Sequence, residues 1–190
     1  MKVFEVDHPL TQKVKMRKVK KILGSLPRHV VYVPIDFEKE TLDKRLLENG
    51  YDKELKTLFI AEAIVHHLTR EEVDSTLDFI AGNSRVGSSV IFDYIFQSVH
   101  DGSHEWQGTE KWQKFLRRDD GKPSFGIPEG TAEEFLSKRS FRDVKDVSGE
   151  FLRNTYFKGT DQAKEMFCLW GIAHATVKPK ESLKLTAHST

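Results

Sequence analysis

Three short apolar runs in the first third of the chain each end on a carboxylate, and that spacing narrows the fold more than any other feature. The first, Lys2-Val-Phe-Glu-Val-Asp7, is cut off by His8-Pro9. Proline cannot donate to a sheet ladder and holds the residue before it in extended backbone, so a strand ends at Asp7 and a helix can begin near Pro9. Val30-Val-Tyr-Val33 is a second, β-branched strand, ended by Pro34 and followed by Asp36 and Phe37. Leu58-Phe-Ile-Ala61 is a third, and it runs directly into Glu62. Helical segments separate the three. Between the first two strands, Leu10, Val14, Val19, Ile22 and Leu23 recur at roughly helical spacing among six Lys and Arg, and Gly24 supplies the stop. Residues 41–49 form a shorter helix with Leu42, Leu46 and Leu47, closed by Asn49-Gly50. Right-handed crossovers bring successive parallel strand ends to one rim, so Asp7, Asp36 and Glu62 are expected to converge there. In open α/β sheets that rim binds ligands, and an acid on it accepts hydrogen bonds from ribose hydroxyls. The competing reading of Asp7 is a cap for the helix that follows.

Composition excludes several partners. With 190 residues, 38% hydrophobic and 31% charged, the chain supports one substantial core. Thirty Lys plus Arg against 29 Asp plus Glu leave a formal charge of +1, so no global basic field invites nucleic acid. The basic run between Leu10 and Leu23 carries no interleaved aromatics and reads as a solvated helix face. A small-molecule or protein ligand is the expectation. The one cysteine, Cys168, has no partner for an internal disulfide, and neither a signal-peptide pattern nor an apolar run of membrane-spanning length occurs. A cytoplasmic setting, away from membranes, follows as the expectation.

The remainder continues the α/β alternation in a single domain over residues 1–178. Thr69-Arg-Glu-Glu72 is a capping box opening a helix with Val73, Leu77 and Ile80 inward. Ser88 to Tyr94 reads as a fourth strand ending near Asp93. The stretch 100–125, with Trp106, Trp112 and Phe115, is a candidate lid insertion, and Tyr94 stands beside it by position; the plainer reading is that its tryptophans cover the core. Phe125-Gly-Ile-Pro128 leads to a helix near Thr131–Lys138, then a strand over Phe141–Val147, a helix from Ser148 to about Tyr156 with Phe151 and Leu152 inward, and a terminal apolar strand within Met166–Val177. Residues 179–190 form a polar tail.

Taken in order, Val3-Phe-Glu-Val-Asp7-His-Pro9, Tyr32-Val-Pro-Ile-Asp36-Phe37, Thr57-Leu-Phe-Ile-Ala-Glu62 with Leu68-Thr69, Gly87-Ser88 leading into Phe92-Asp-Tyr94, Phe125-Gly-Ile-Pro128 and the strand from Phe141 resemble the leucine carboxyl methyltransferase-like branch of the class I S-adenosyl-L-methionine (SAM)-dependent methyltransferases. The resemblance spans most of the chain. It implies a Rossmann-like sheet, mostly parallel with an antiparallel C-terminal strand, and SAM as cofactor. It assigns the ribose hydroxyls to Asp7, the adenine edge to Asp36 and the backbone of Phe37, and the neighbourhood of the methionine moiety to Glu62. Carboxylates suit those tasks, because they accept strongly from hydroxyl and amino donors. The implied activity is O-methylation of a carboxylate or hydroxyl on a small molecule or protein. Alignment carries most of such a displacement when the acceptor is already a carboxylate.

Two departures from that pattern stand out. His67 occupies a position that is usually aromatic in the branch, preceded by His66; adjacent histidines do not share a helix or strand face, so no metal site is expected. The larger departure is that the Gly-rich turn of such folds lies about twenty residues ahead of the ribose-binding acid, whereas Asp7 has six residues before it. The expectation is therefore a domain lacking the usual first strand, truncated at its N-terminus, with two neighbouring strands left without a shared partner and prone to self-association. Either activity needs the absent segment, from the same or another chain, or the protein is a non-catalytic remnant that binds a partner. A Rossmann-type enzyme using another nucleotide such as NAD is the third reading.

Overall fold

A computed structural model describes residues 1–101, 125–161, 163 and 168–179. The expected lid segment, with Trp106, Trp112 and Phe115, and the polar tail beyond residue 179 lie outside the described residues.

Strand β1 (Val3–Asp7) stops at Pro9 as the sequence requires, and α1 (Pro9–Leu23) begins there with proline in its first turn. Its C-cap is Gly24 at φ 77°, a left-handed conformation that costs glycine nothing. After β2 (Val30–Pro34) come α2 (Leu42–Glu48), β3 (Leu58–Ala61), a single 3-10 turn (Val65–His67), α3 (Arg70–Gly82) and β4 (Ser89–Phe96). The second half supplies α4 (Gln97–His100), the two-residue β5 (Gly126–Ile127), α5 (Ala132–Ser137), β6 (Phe141–Ser148), α6 (Gly149–Tyr156) and β7 (Trp170–Val177).

The strands form two hydrogen-bonded sets. β1 and β2 pair in parallel, with Val3 opposite Val30 and Asp7 opposite Pro34. The second set runs β3-β4-β7-β6: β3 is parallel to β4, β7 is antiparallel to both β4 and β6, and β5 adds to the end of β4. The antiparallel C-terminal strand is as expected; its place between β4 and β6 buries it. Alternate residues of β4 (Val90, Phe92, Tyr94, Phe96) and of β7 (Ala173, Ala175, Val177) enter the core, joined by Val73, Leu77 and Ile80 of α3 and by Leu136 and Phe141. The capping box at the start of α3 is complete: Glu72 N–H donates to Thr69 Oγ1 at 3.3 Å and Thr69 N–H donates to Glu72 Oε2 at 2.7 Å.

Three expectations change. On α1 the inward residues are Gln12, Met16 and Val19, whereas Leu10, Val14, Ile22 and Leu23 are exposed. The apolar spacing was a surface pattern, and the helix is fastened to β1 by polar contacts: Gln12 Nε2 donates to the Glu5 backbone carbonyl at 2.9 Å and to Glu5 Oε2 at 2.7 Å. The fourth strand continues past Asp93 to Phe96, which puts Asp93 inside the strand. Phe151 is 56% exposed, because α6 turns that face outward.

Candidate functional site

The carboxyl ends of β1 and β2 lie side by side. Asp7 is the last residue of β1, and its carbonyl accepts from Ile35 N–H at 3.0 Å, directly before Asp36. Asp7 Oδ1 accepts from His8 N–H at 2.8 Å, and Oδ2 lies 3.4 Å from Lys15 Nζ. The cap of α1 is His8, whose Nδ1 accepts from Leu10 N–H at 3.4 Å, so the capping reading of Asp7 gives way to His8. Asp7 keeps a quarter of its side chain exposed, with no helix terminus to serve.

Asp36 sits in the turn after β2. Its carbonyl accepts from Lys39 and Glu40 N–H, its Oδ1 accepts from Glu38 N–H at 3.2 Å, and its Oδ2 is bonded by Lys39 Nζ at 2.6 Å. The Lys39 hydrogen bond, helped by the Glu38 N–H and the positive fields of Lys39 and His8, holds the Asp36 carboxyl below the usual carboxylate range, while burial acts weakly the other way. The Ile35 N–H bond to the Asp7 carbonyl sets the turn after β2 beside the end of β1. Phe37 follows as a half-buried side chain packed against the core.

Glu62 belongs to the other hydrogen-bonded set, directly after β3, and its side chain is exposed. Its backbone is held from behind. Ala63, at φ 53°, occupies the left-handed region that a non-glycine residue takes at a cost. Its N–H donates to Asp93 Oδ1 of β4 at 2.7 Å, which pins the turn. The structure thus brings Asp7 and Asp36 to adjacent strand ends and sets Glu62 directly after β3, in the other hydrogen-bonded set. Sequence reasoning missed Asp93, Lys15 and Lys39. An acid inside an otherwise apolar strand was the available signal for Asp93, and lysines three to ten residues from the acids they serve were the signal for the others.

Tyr51 links the two sets. Its ring centroid lies 5.9 Å from that of Phe4 on β1, 6.0 Å from that of Phe59 on β3 and 5.8 Å from that of Phe79 on α3. Beyond β4 on the carboxyl side, a hollow of about 390 Å³ is lined by Phe96, Glu129, Gly130, Asp146, Val147, Ser148 and Phe151. Tyr94, expected beside a lid, is instead a core residue 1% exposed, and its hydroxyl donates to both Asp146 oxygens at 2.9 and 3.0 Å. His66 is buried and its ring lies 4.1 Å from that of exposed His67, so the 3-10 turn brings together two rings that a helix or strand would keep apart. Among the described residues no group of three His, Cys, Asp or Glu is placed to hold a metal ion. No described helix is long and apolar enough to cross a membrane.

Comparison with known proteins bears on the fold. Of known structures, a duf574 family protein from Streptomyces avermitilis superposes with a TM-score of 0.61 at 16% identity, covering 94% of this chain and 65% of the other. Magnesium protoporphyrin IX methyltransferase (ChlM) from Synechocystis PCC 6803, with bound SAH, gives 0.52 at 11% identity over 93% of this chain and 64% of that one. At such identities the likeness establishes the Rossmann-like methyltransferase fold. In sequence, a Bacillus subtilis protein, YktD, grouped by its name with the SAM-dependent methyltransferases, is 39% identical over 99 residues, 52% of this chain and 32% of that protein. A similarly named Mycolicibacterium paratuberculosis protein is 33% identical over 121 residues, 63% of this chain and 36% of its own length. The matched segment is thus about a third of each relative. The sequence model of leucine carboxyl methyltransferase matches residues 1–81, which hold β1 to α3 and with them Asp7, Asp36, Phe37 and Glu62. Residues 1–81 are thus similar to leucine carboxyl methyltransferase, and the fold is that of the Rossmann-like methyltransferases.

Proposed function

We propose that the chain forms the nucleoside-binding side and the acceptor side of a SAM-dependent O-methyltransferase. The observation that supports this reading is the placement of two carboxylates, Asp7 and Asp36, at adjacent parallel strand ends with a third, Glu62, at the end of β3. The donor set fits the group. A vicinal diol needs a carboxylate with accessible oxygens, and Asp7 offers one beside Lys15. Asp36, held ionised by Lys39, and the Phe37 backbone reach the neighbouring position where an amino-bearing ring would lie. Glu62 offers its carboxylate to the ammonium of an amino-acid moiety. When bound, SAM supplies an electrophilic methyl group on a sulfonium; the protein's own part is to hold the nucleoside and align the acceptor.

The hollow beside β4 gives the acceptor side its character. Glu129 and Asp146 line it together with Phe96, Val147 and Phe151, so a carboxylate acceptor would meet two like charges there, while a hydroxyl on an apolar frame would not. Of the two acceptor types, the hydroxyl is favoured. A protein in a non-catalytic, partner-binding role would keep the fold and lose the cofactor.

Calorimetric titration of SAM and of its demethylated product into the purified chain is the test. Weak binding is expected from residues 1–190, because among the described residues no glycine turn follows a strand on this rim, and the three acids hold only the nucleoside and amino-acid ends. Asp7→Ala and Asp36→Ala should each weaken that binding by roughly tenfold or more, the worth of a hydrogen bond to a charged group. Binding that survives both substitutions together removes the residue assignment. Competition by NAD would instead point to another nucleotide.

A further inference from the structure

We infer that the hollow beside β4 takes a planar aromatic compound by its hydroxyl, and that Asp146 is the catalytic residue that receives the hydroxyl proton, with Tyr94 as its positioning residue. The inference rests on the reading of this hollow as the acceptor side, and it names the acceptor class and the base.

Three strands place the carboxylate. β4 and β6 are both antiparallel to β7, so they run in one direction, and their carboxyl ends share the rim on which β3 ends before Glu62. Tyr94 of β4 stands opposite Gly171 of β7, which stands opposite Ser148 of β6, with Asp146 two residues before Ser148. Strand residues two apart share a face, so the Tyr94 side chain reaches Asp146 over residue 171. Glycine leaves the space for it: a Cβ there would lie 2.7 Å from the ring and the hydroxyl. The hydroxyl donates to both Asp146 oxygens, at 2.9 and 3.0 Å.

The carboxylate so held keeps room for another donor. The Tyr94 proton and the Val147 N–H together take up fewer than the roughly four lone-pair sites it offers. Residue 146 is open on the side of the hollow, while its carboxyl lies against Tyr94. Burial disfavours the charge of that carboxyl, and the two hydrogen bonds offset this only in part, which leaves it a stronger proton acceptor than an ordinary carboxylate. Of the charged groups on neighbouring elements, Glu129 lines the same hollow, Glu150 and Arg153 of α6 pair with each other at 3.3 Å, and Lys145 with its opposite number His174 alternates to the far face.

The rest of the lining selects the body of the acceptor. Phe96 ends β4 in the core, and Phe151, exposed on α6, offers a ring against which a planar compound stacks. At about 390 Å³ the hollow has the size of a small-molecule site. The step balances as a displacement. The hydroxyl oxygen forms its bond to the methyl carbon as the bond from that carbon to sulfur breaks, with the electron pair leaving on sulfur. The hydroxyl proton passes to Asp146, whose neutral carboxyl then yields it to water.

The probe is para-nitrophenol, yellow as the anion and colourless as the phenol, titrated into residues 1–190 without SAM. The phenol form is expected to bind, with the midpoint of its colour change on the protein displaced to higher pH and the Asp146 carboxyl signal in carbon NMR moving with it. Asp146→Asn keeps an acceptor for Tyr94 and should match the parent in near-ultraviolet circular dichroism. It should weaken binding of the phenol about tenfold, the worth of a hydrogen bond to a charged group, and lower the colour midpoint by about one pH unit. Tyr94→Phe should weaken binding severalfold while the midpoint stays raised. Para-nitroanisole, which has no proton to give, should bind the parent and Asp146→Asn alike. No binding of the probe overturns the inference. So do equal midpoint changes in Asp146→Asn and Glu129→Gln, which would mean a field without contact, and tighter binding of benzylamine, which would make the hollow a cation site. The cofactor titration fails separately: an Asp146-dependent probe without SAM binding leaves the hydroxyl site and removes methyl transfer, and SAM binding without the probe does the reverse.

Discussion

Tyr94, Asp146 and Gly171 show how tightly one residue can constrain its neighbours. A Cβ on Gly171 would lie 2.7 Å from the Tyr94 ring and hydroxyl, and the ring is boxed in by Phe92 and Phe96 with centroids 6.2 and 6.0 Å away. Gly171→Ala is therefore expected to lower unfolding free energy by about 1–3 kcal/mol, the range for overpacking a core, read by urea denaturation. Glycine at 171 is required by close approach, with no need of a special φ. Asp146 titrates above the usual carboxylate value because burial disfavours its charge, and the Tyr94 and Val147 hydrogen bonds pull it partly back. A carboxyl raised on folding takes up protons as the chain folds, so its contribution to stability falls as pH rises through the window above its ordinary value. Tyr94→Phe removes one restraint on that rise. The Asp146 carboxyl, followed by NMR, should move further up, and the stability loss of the variant should be fully present at neutral pH and shrink in acid. A downward shift would mean that the phenol contributes nothing to the charge.

At the scale of elements, the pieces that were legible in the sequence are those whose signals are local. Pro9, Gly24, the Thr69–Glu72 box and the β-branched runs each fix their own backbone, and the structure follows them. Thr69→Ala removes one half of the box and should cost about 1 kcal/mol by thermal or urea unfolding. Long-range contacts left no such mark. The apolar spacing of α1 reads as a buried stripe only if the helix has a neighbour on that side, and here Glu5 and Gln12 fasten it instead. β5 is two residues long and exists because Ile95 and Phe96 offer it an edge, so Gly126-Ile127 gave no strand pattern of its own. The clamping role of Asp93 escaped notice because its partner is a backbone N–H thirty residues away. That clamp has a consequence for Glu62: Asp93→Ala should release the strained turn at Ala63 and weaken SAM binding severalfold without any contact of its own, while Asp93→Asn, which keeps an acceptor, should restore most of it. Equal losses in the two variants would assign Asp93 a role other than holding the turn.

Across the whole molecule, the separation of the sheet into a two-stranded and a larger set bears directly on stability. A pair of strands has little independent stability in water and depends on what it packs against. Here β1 and β2 rest on Tyr51 and on the polar lacing of α1, whereas β4 is bonded on both sides and lies in the core. Local opening should therefore be graded: amides of β4 and β7 are expected to exchange last, at rates set by global unfolding, and those of β1 and β2 orders of magnitude sooner. Deuterium exchange read by mass spectrometry resolves the two sets. The parallel run of the early strands could be anticipated from the sequence because right-handed crossovers leave few alternatives, and the antiparallel C-terminal strand from the resemblance, but the place of β7 between β4 and β6 and the bridging of the two sets by Tyr51 left no local mark. If β1 and β2 proved as protected as β4, the two sets would be one cooperative unit held by Tyr51, and Tyr51→Ala would then unfold both together. If they exchange early, the same substitution should speed β1 and β2 further and leave β4 and β7 nearly unchanged, because the ring and hydroxyl contacts of Tyr51 on that side, Phe59, Phe79 and Ser84, lie outside β4 and β7.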